Sequence, residues 1–154
     1  SFIFGRGYEE IEHAAQVGIT SEVIPGISSS YAVPALNGIP LTSRGMSESF
    51  WVVTGTTKSH ELSSDFHLAA QSTATVVILM GMHKLAEITS FYQSIGKNAT
   101  PVAIIQDGSL PHQKIAKGTI DTILHVVERQ QLSSPAIIVI GKVADLITIT
   151  TPSP

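Results

Sequence analysis

The sequence predicts an α/β fold: a C-terminal α/β domain with a mostly complete sheet, preceded by the tail of another α/β domain. Three observations predict it. Apolar runs of strand length, such as Thr75 to Met80 and Ala136 to Ile140, recur along the chain. Segments with apolar residues at helical spacing fall between them. Most of the runs end in glycine-bearing turns, the place where open α/β sheets meet their ligands. Near-continuous apolar strands separated by helices imply a sheet covered on both faces.

The first segment, Phe2-Ile3-Phe4, reads as the end of a buried strand turning through Gly5-Arg6-Gly7 into a helix. A strand has residues before it, so the chain is expected to be the back part of something larger. Glu9 to Val17 puts Ile11, Ala14 and Ala15 on one helical face. Glu9 and Glu10 lie at the positive end of its dipole and Gly18 stops it. Val23-Ile24 runs into Pro25-Gly26. Ser28 to Asn37 is expected to be a short helix with a serine cap, Pro34 inside it and Gly38 just past its end. Gly38 to Gly45 resists regular structure and reads as a linker. This places a remnant of one domain plus linker at 1–46 and a C-terminal domain at 47–154.

A new alternation begins there. Phe50 to Thr54 is a strand closed by Gly55, and Ser64 to Ala70 a short helix with Phe66 and Ala69 inward. Thr75 to Met80 is an apolar strand stopped by Gly81. His83 to Ile95 is a helix carrying Leu85, Ile88, Tyr92 and Ile95, closed by Gly96. Pro101 to Ile105 is a strand, and Ile115-Ala116-Lys117 is edge-like. Thr119 is expected to cap a helix reaching Arg129, with Ile120, Ile123, Leu124 and Val127 on its apolar side. Ala136 to Ile140 is the last strand, leading through Gly141 to Val143 and Leu146. The polar, proline-bearing tail from about 147 is expected to fray.

Composition excludes several classes. With no cysteine, the chain has no disulfide framework, thiolate metal site or cysteine nucleophile. A net charge of -3 with scattered lysines and arginines leaves no footprint for nucleic acid. No apolar run approaches the roughly 20 residues a membrane helix needs. A cytoplasmic enzyme domain is the expectation.

Candidate chemistry is sparse. Thr54-Gly55-Thr56-Thr57-Lys58-Ser59 lacks the glycine directly before the lysine that a phosphate loop requires. There is no dinucleotide fingerprint and no elbow-type serine. The histidines, with His60 and His67 seven apart and the others isolated, do not form a metal set. Turns at Gly5-Arg6-Gly7, Pro25-Gly26-Ile27-Ser28, Met80-Gly81 and Asp107-Gly108-Ser109 are ordinary when taken singly. Together they suggest a small-molecule cleft bound largely by main-chain groups. Arg6 and Arg44 sit in glycine-flanked turns; bidentate carboxylate recognition and a surface ion pair both fit them.

The ordered set Phe2-Ile3-Phe4-Gly5-Arg6-Gly7 with Glu9-Glu10, Val23-Ile24-Pro25-Gly26-Ile27-Ser28-Ser29, Gly38 to Gly45 and Val52-Val53-Thr54-Gly55 resembles the tetrapyrrole methylases. Leu79-Met80-Gly81, Pro101 through Gly108-Ser109 with Gln113, and Ser134-Pro135-Ala136 through Gly141 agree in order, so the likeness covers the chain to about Leu146. It is strongest to members that C-methylate uroporphyrinogen III. The resemblance implies a homodimer of two α/β domains, with S-adenosylmethionine in the cleft between them and S-adenosylhomocysteine as its product. The reaction implied is methylation of two carbons of uroporphyrinogen III, giving precorrin-2 for sirohaem and cobalamin. It places Ile3 in the cofactor loop, Ser28 and Ser29 at a cofactor-contacting pair, Met80 beside the cofactor and Gly108 next to it from the following strand. Arg6 and Arg44 suit the acetate and propionate groups of the substrate, on chemistry rather than motif.

Several positions depart from the family pattern. The family reads Gly-Gly-Asp-Pro where this chain opens with Ser1. Its glycine-rich first loop and its N-terminal proton-transfer residues have no counterpart, so no catalytic residue is assigned here. Leu79 stands for a common Tyr, and Ser43 and Thr56 for common His residues. This piece is therefore expected to be inactive by itself and to bind cofactor weakly. Two alternatives accompany the reading: a methylase for a later corrin precursor, and a non-catalytic domain for dimerisation or half of a cofactor site. Relatives that act on diphthamide or ribosomal RNA do not share the Phe-Ile-Phe-Gly-Arg-Gly wording.

Overall fold

The computed structural model describes residues 2–57 and 61–146. The expectations for Ser1, for Lys58, Ser59 and His60, and for the tail from 147 lie outside the described residues. The elements run α1 (Gly7–Gln16), α2 (Ser29–Leu36), β1 (Phe50–Thr54), α3 (Ser64–Gln71), β2 (Thr75–Leu79), α4 (Leu85–Ser94), β3 (Pro101–Gln106), β4 (Lys114–Thr119), α5 (Ile123–Gln130) and β5 (Ala136–Ile140). One-turn 3₁₀ segments cover Met82–Lys84 and Lys142–Leu146.

The strands form one sheet in the order β1-β2-β5-β3-β4. β1 and β2 are parallel, while β5 runs antiparallel to both β2 and β3, and β4 antiparallel to β3. Side chains alternate across the sheet with the two-residue period of a strand. Val76, Ile78, Val102, Ile104, Ile138 and Ile140 point to one face, where Phe66 of α3, Ile88 and Tyr92 of α4 and Ile123 of α5 cover them. Val77, Ala103, Ile105, Ile137 and Val139 point to the other, under Val33 of α2, Ile39, Val143 and Ala144. Both faces are dry, which is why these strands read as unbroken apolar runs.

Several sequence expectations need correcting. Thr119 does not cap α5: it is the last residue of β4, paired with Pro101. Its N–H donates to Thr122 Oγ1 at 2.9 Å, and the helix begins at Ile123. The ladder takes Thr119, and the turn after it delays the helix. Phe2-Ile3-Phe4 is likewise not a buried strand. These residues are about half exposed, and no strand among the described residues lies beside them to take up their N–H and C=O groups. Val23-Ile24 forms no strand either, and α1 buries none of its residues. The 38–45 linker is more ordered than expected, with Ile39 buried and Ser43 bridged to Ser47.

The expected cap of α2 is present. Ser28 has extended backbone and its Oγ accepts from Ser30 N at 3.3 Å. Replacing Ser28 by Ala is expected to lower the unfolding free energy by about 1 kcal/mol, read as a shift of the urea midpoint at constant slope. An unchanged midpoint would show that α2 is held by packing alone.

Candidate functional site

The antiparallel insertion of β5 between β2 and β3 builds a cavity at the ends of the central strands. Because β5 runs the other way, its first residues meet the last residues of its two neighbours. Leu79 pairs with Ile137, and Ile137 pairs with Ile105. These three side chains form a row across the sheet and floor a cavity of about 380 Å³. α2 supplies one wall through Ser29 and Val33, Ile3 and Phe4 supply another, and the turns at Met80 and at Asp107-Gly108 form the rim.

Backbone strain concentrates here. Phe4, Met80 and Asp107 all hold left-handed φ angles, at 51°, 56° and 51°, and all three line the cavity. For side chains as bulky as Phe and Met this conformation is disfavoured, and such outliers gather at sites that need a particular main-chain presentation. Gly108 is placed by contact rather than by φ. A Cβ there would overlap Cγ1 of Val33 and lie 2.8 Å from its Cγ2, so the turn can rest on α2 only as glycine.

Most of the walls are apolar. The polar side chains in the lining are Ser29 and Asp107. The Asp107 N–H donates to the Pro135 carbonyl at 3.1 Å. Its carboxylate accepts from Gln106 Nε2 at 2.9 Å and lies 3.6 Å from His112 Nε2. Beside the Met80 turn, Thr56 Oγ1 lies 2.7 Å from His83 Nε2 and donates to the Met80 carbonyl at 3.3 Å.

The structure therefore gathers Ile3, Ser29, Met80 and Gly108 around one cavity. Ser28 stands one residue before, as the cap of α2. Arg6 and Arg44 do not line it. Arg6 is exposed and bound to its own helix, Nε donating to Glu9 Oε2 at 2.7 Å, and that hydrogen bond raises its pKa further. Arg44 lies exposed in the linker turn. Sequence reasoning did not single out Phe4, Val33, Ile105 or Ile137 for the site, and it reached Asp107 only as part of the Asp107-Gly108-Ser109 turn. The alternation of strand residues was a usable signal for the face of Ile105 and Ile137, but not for their adjacency. Among the described residues no group of three or more His, Asp or Glu side chains gathers as a metal site, and no helix is long and apolar enough to cross a membrane.

Known proteins share this chain's sequence pattern and fold. The family model for Tetrapyrrole (Corrin/Porphyrin) Methylases matches residues 1–124. The chain is 41% identical over 147 residues to uroporphyrinogen-III C-methyltransferase of Synechocystis sp., covering 94% of this chain and 56% of that protein. It is 39% identical over 146 residues to siroheme synthase of Psychrobacter arcticus, covering 94% of this chain and 27% of that one. Among solved structures, uroporphyrin-III C-methyl transferase from Thermus thermophilus complexed with S-adenyl homocysteine superposes with a TM-score of 0.79. There the identity is 25%, over 95% of this chain and 64% of that chain. The chain thus spans less than two thirds of the length of each of these relatives. With a family model covering most of its length and the same fold in a solved member, this chain belongs to the tetrapyrrole (corrin/porphyrin) methylase family.

Proposed function

We propose that this chain supplies part of the cofactor site of an S-adenosylmethionine-dependent C-methyltransferase acting on uroporphyrinogen III, in a cytoplasmic homodimer. The observation that carries the reading is the single cavity shared by Ile3, Ser29, Met80 and Gly108. Its volume of about 380 Å³ lies in the range usual for small-molecule sites, roughly 300–1,000 Å³. The residues present suit such a cofactor. The row Leu79-Ile137-Ile105 with Val33 offers apolar walls to a purine and a thioether chain. Ser29, Asp107 and the main chain of the turns offer hydrogen bonds to its polar groups. The Thermus thermophilus relative complexed with S-adenyl homocysteine supports the same reading.

When bound, S-adenosylmethionine supplies a methyl group already activated on a sulfonium. The acceptor, a pyrrole carbon of the reduced macrocycle, is already nucleophilic. What the protein must do is hold the two in line and keep water out, and well-oriented intramolecular reactions show that positioning is worth roughly 7–11 kcal/mol. In this chain the left-handed turns at Met80 and Asp107 rim the cavity, and the Gly108 turn rests against Val33 of α2. The carbon that gains the methyl must then lose a proton. No residue described here is assigned as that base.

The test is a titration of the ¹⁵N-labelled chain with S-adenosylhomocysteine, followed by amide chemical shifts. The expected result is movement confined to Ser29, Met80, Asp107, Gly108 and their neighbours, at an affinity weaker than micromolar. Binding is expected to be weak because Ile3 and Phe4, which line one wall, are themselves about half exposed to solvent. Shifts elsewhere, or none at millimolar ligand, would overturn the reading. For the substrate, the natural gene product carrying this chain is incubated with uroporphyrinogen III and methyl-labelled cofactor. Two methyl groups per macrocycle are expected; a product that starts from a later precursor would shift the assignment within the family.

A further inference from the structure

We propose that Asn37 and Gln113 form a latch that positions the 107–113 loop over the cavity, making them positioning residues for the cofactor. The inference rests on the reading of the cavity as a cofactor site and adds two residues that do not line it.

Helix periodicity supplies the first part of the argument. Ser29, Val33 and Asn37 are four residues apart and share one face of α2 and its C-cap. Ser29 lines the cavity, Val33 carries the Gly108 turn, and Asn37 reaches the far end of the same loop. The stripe from the helix start to its cap therefore follows the loop along its length.

Hydrogen bonding supplies the second part. Gln113 Nε2 donates to Asn37 Oδ1 at 2.7 Å, and Asn37 Nδ2 donates back to Gln113 Oε1 at 3.2 Å. The other Asn37 N–H goes to the Val33 carbonyl at 2.8 Å, anchoring the amide to the end of α2. Gln113 Oε1 also accepts from the Ser109 N–H at 3.0 Å, tying the loop's two ends together. Within the loop, Leu110 N donates to the Asp107 carbonyl and Gln113 N to the Leu110 carbonyl, both at 3.0 Å. Asp107 and Ser109 both hold left-handed φ, so the loop is a disfavoured backbone that needs external restraint. Both amides are partly buried, where a reciprocal pair is stronger than one fully in water. A loop held in its binding conformation before the ligand arrives spares the ligand the cost of ordering it.

The experiment separates ordering of the loop from mere support of the fold. Asn37→Ala, Gln113→Ala and the double variant are compared with the parent chain in two measurements. In the ligand-free protein, Asn37→Ala is expected to speed hydrogen exchange at the Ser109 amide about tenfold while the Ile104 amide is unchanged, although Asn37 does not touch Ser109. In the titration with S-adenosylhomocysteine, each single variant is expected to weaken binding about threefold to tenfold, the scale of one or two hydrogen bonds. The double variant is expected to be no weaker than the worse single one, because both act through one latch. Unchanged exchange at Ser109, additive losses, or affinities within about twofold of the parent would overturn the latch. If Ser109 responds as expected but the parent chain shows no binding at millimolar ligand, it is the cofactor reading that fails.

Discussion

Replacing Phe66 by Ala is expected to lower the unfolding free energy by about 3–5 kcal/mol, a large share of the roughly 5–15 kcal/mol available to a domain. Phe66 is on α3 and is the largest of the fully buried side chains among the described residues. It packs tilted against Phe91 with ring centroids 5.6 Å apart and edge-on to Tyr92 at 6.1 Å. Burial of Tyr92 at this junction pushes its phenol pKa up, as a dry environment does. α3 has only eight residues, and its N-cap Ser63 makes no side-chain cap bond. Helices that short are not stable alone, so α3 exists because Phe66, Ala69 and Ala70 are seated on the sheet. The measurement is urea unfolding of the variant beside Leu68→Ala. Leu68 is more than half exposed on the same helix, and its loss is expected to cost no more than about 0.5 kcal/mol. A Phe66→Ala cost below about 1 kcal/mol would mean that α3 does not hold the first face of the core.

The central strands were legible because burial on both faces makes them unbroken apolar runs, which their short length and bounding glycine or proline mark as strands rather than helices. Phe50 to Thr54 and Ala136 to Ile140 have the bounds read from composition and punctuation alone. The helices at 64–71 and 85–94 were legible from their inward residues, Phe66 and Ile88, which are both fully buried. Thr119 misled because a threonine before an apolar helical pattern has the same local appearance whether it caps the helix or ends a strand. Its pairing with Pro101, 18 residues earlier, decided the matter. The same limit applies to the site. Ile3, Ser29, Met80 and Gly108 were located by the order of motifs, and they do line one cavity. What closes the cavity is the insertion of β5 between β2 and β3, a register spanning 58 residues between Leu79 and Ile137 that no local pattern encodes. Arg6 was open between two readings on sequence, and its ion pair with Glu9 is the one the structure contains.

Gly55→Ala is the substitution expected to damage fold and cavity together. Gly55 follows β1 and Gly81 follows β2, side by side at the carboxyl ends of the parallel pair, and the Gly55 N–H donates to the Leu79 carbonyl at 2.7 Å. A Cβ on Gly55 would overlap the Cα of Gly81 and stand 2.9 Å from both the Gly81 nitrogen and the Met80 carbonyl oxygen. All of these are main-chain atoms, so no side chain can swing aside; either β1 shifts away or the Met80 turn moves. Overpacking of this kind costs about 3 kcal/mol at its upper range. The Met80 turn cannot move freely, because Gly81 is itself packed against Ile78 and Ile138 below it. The displacement is therefore transmitted to Met80, whose left-handed backbone lines the cavity. Affinity for S-adenosylhomocysteine is expected to fall at least about tenfold even where the variant is folded, since misplacement by about 1 Å disrupts a positioned site. Gly26→Ala serves as the comparison, because a Cβ there meets nothing within 4 Å. It is expected to stay within about 0.5 kcal/mol of the parent. Parental stability and affinity in Gly55→Ala would show that the two glycine turns are not held in contact, and that the position of Met80 does not depend on β1.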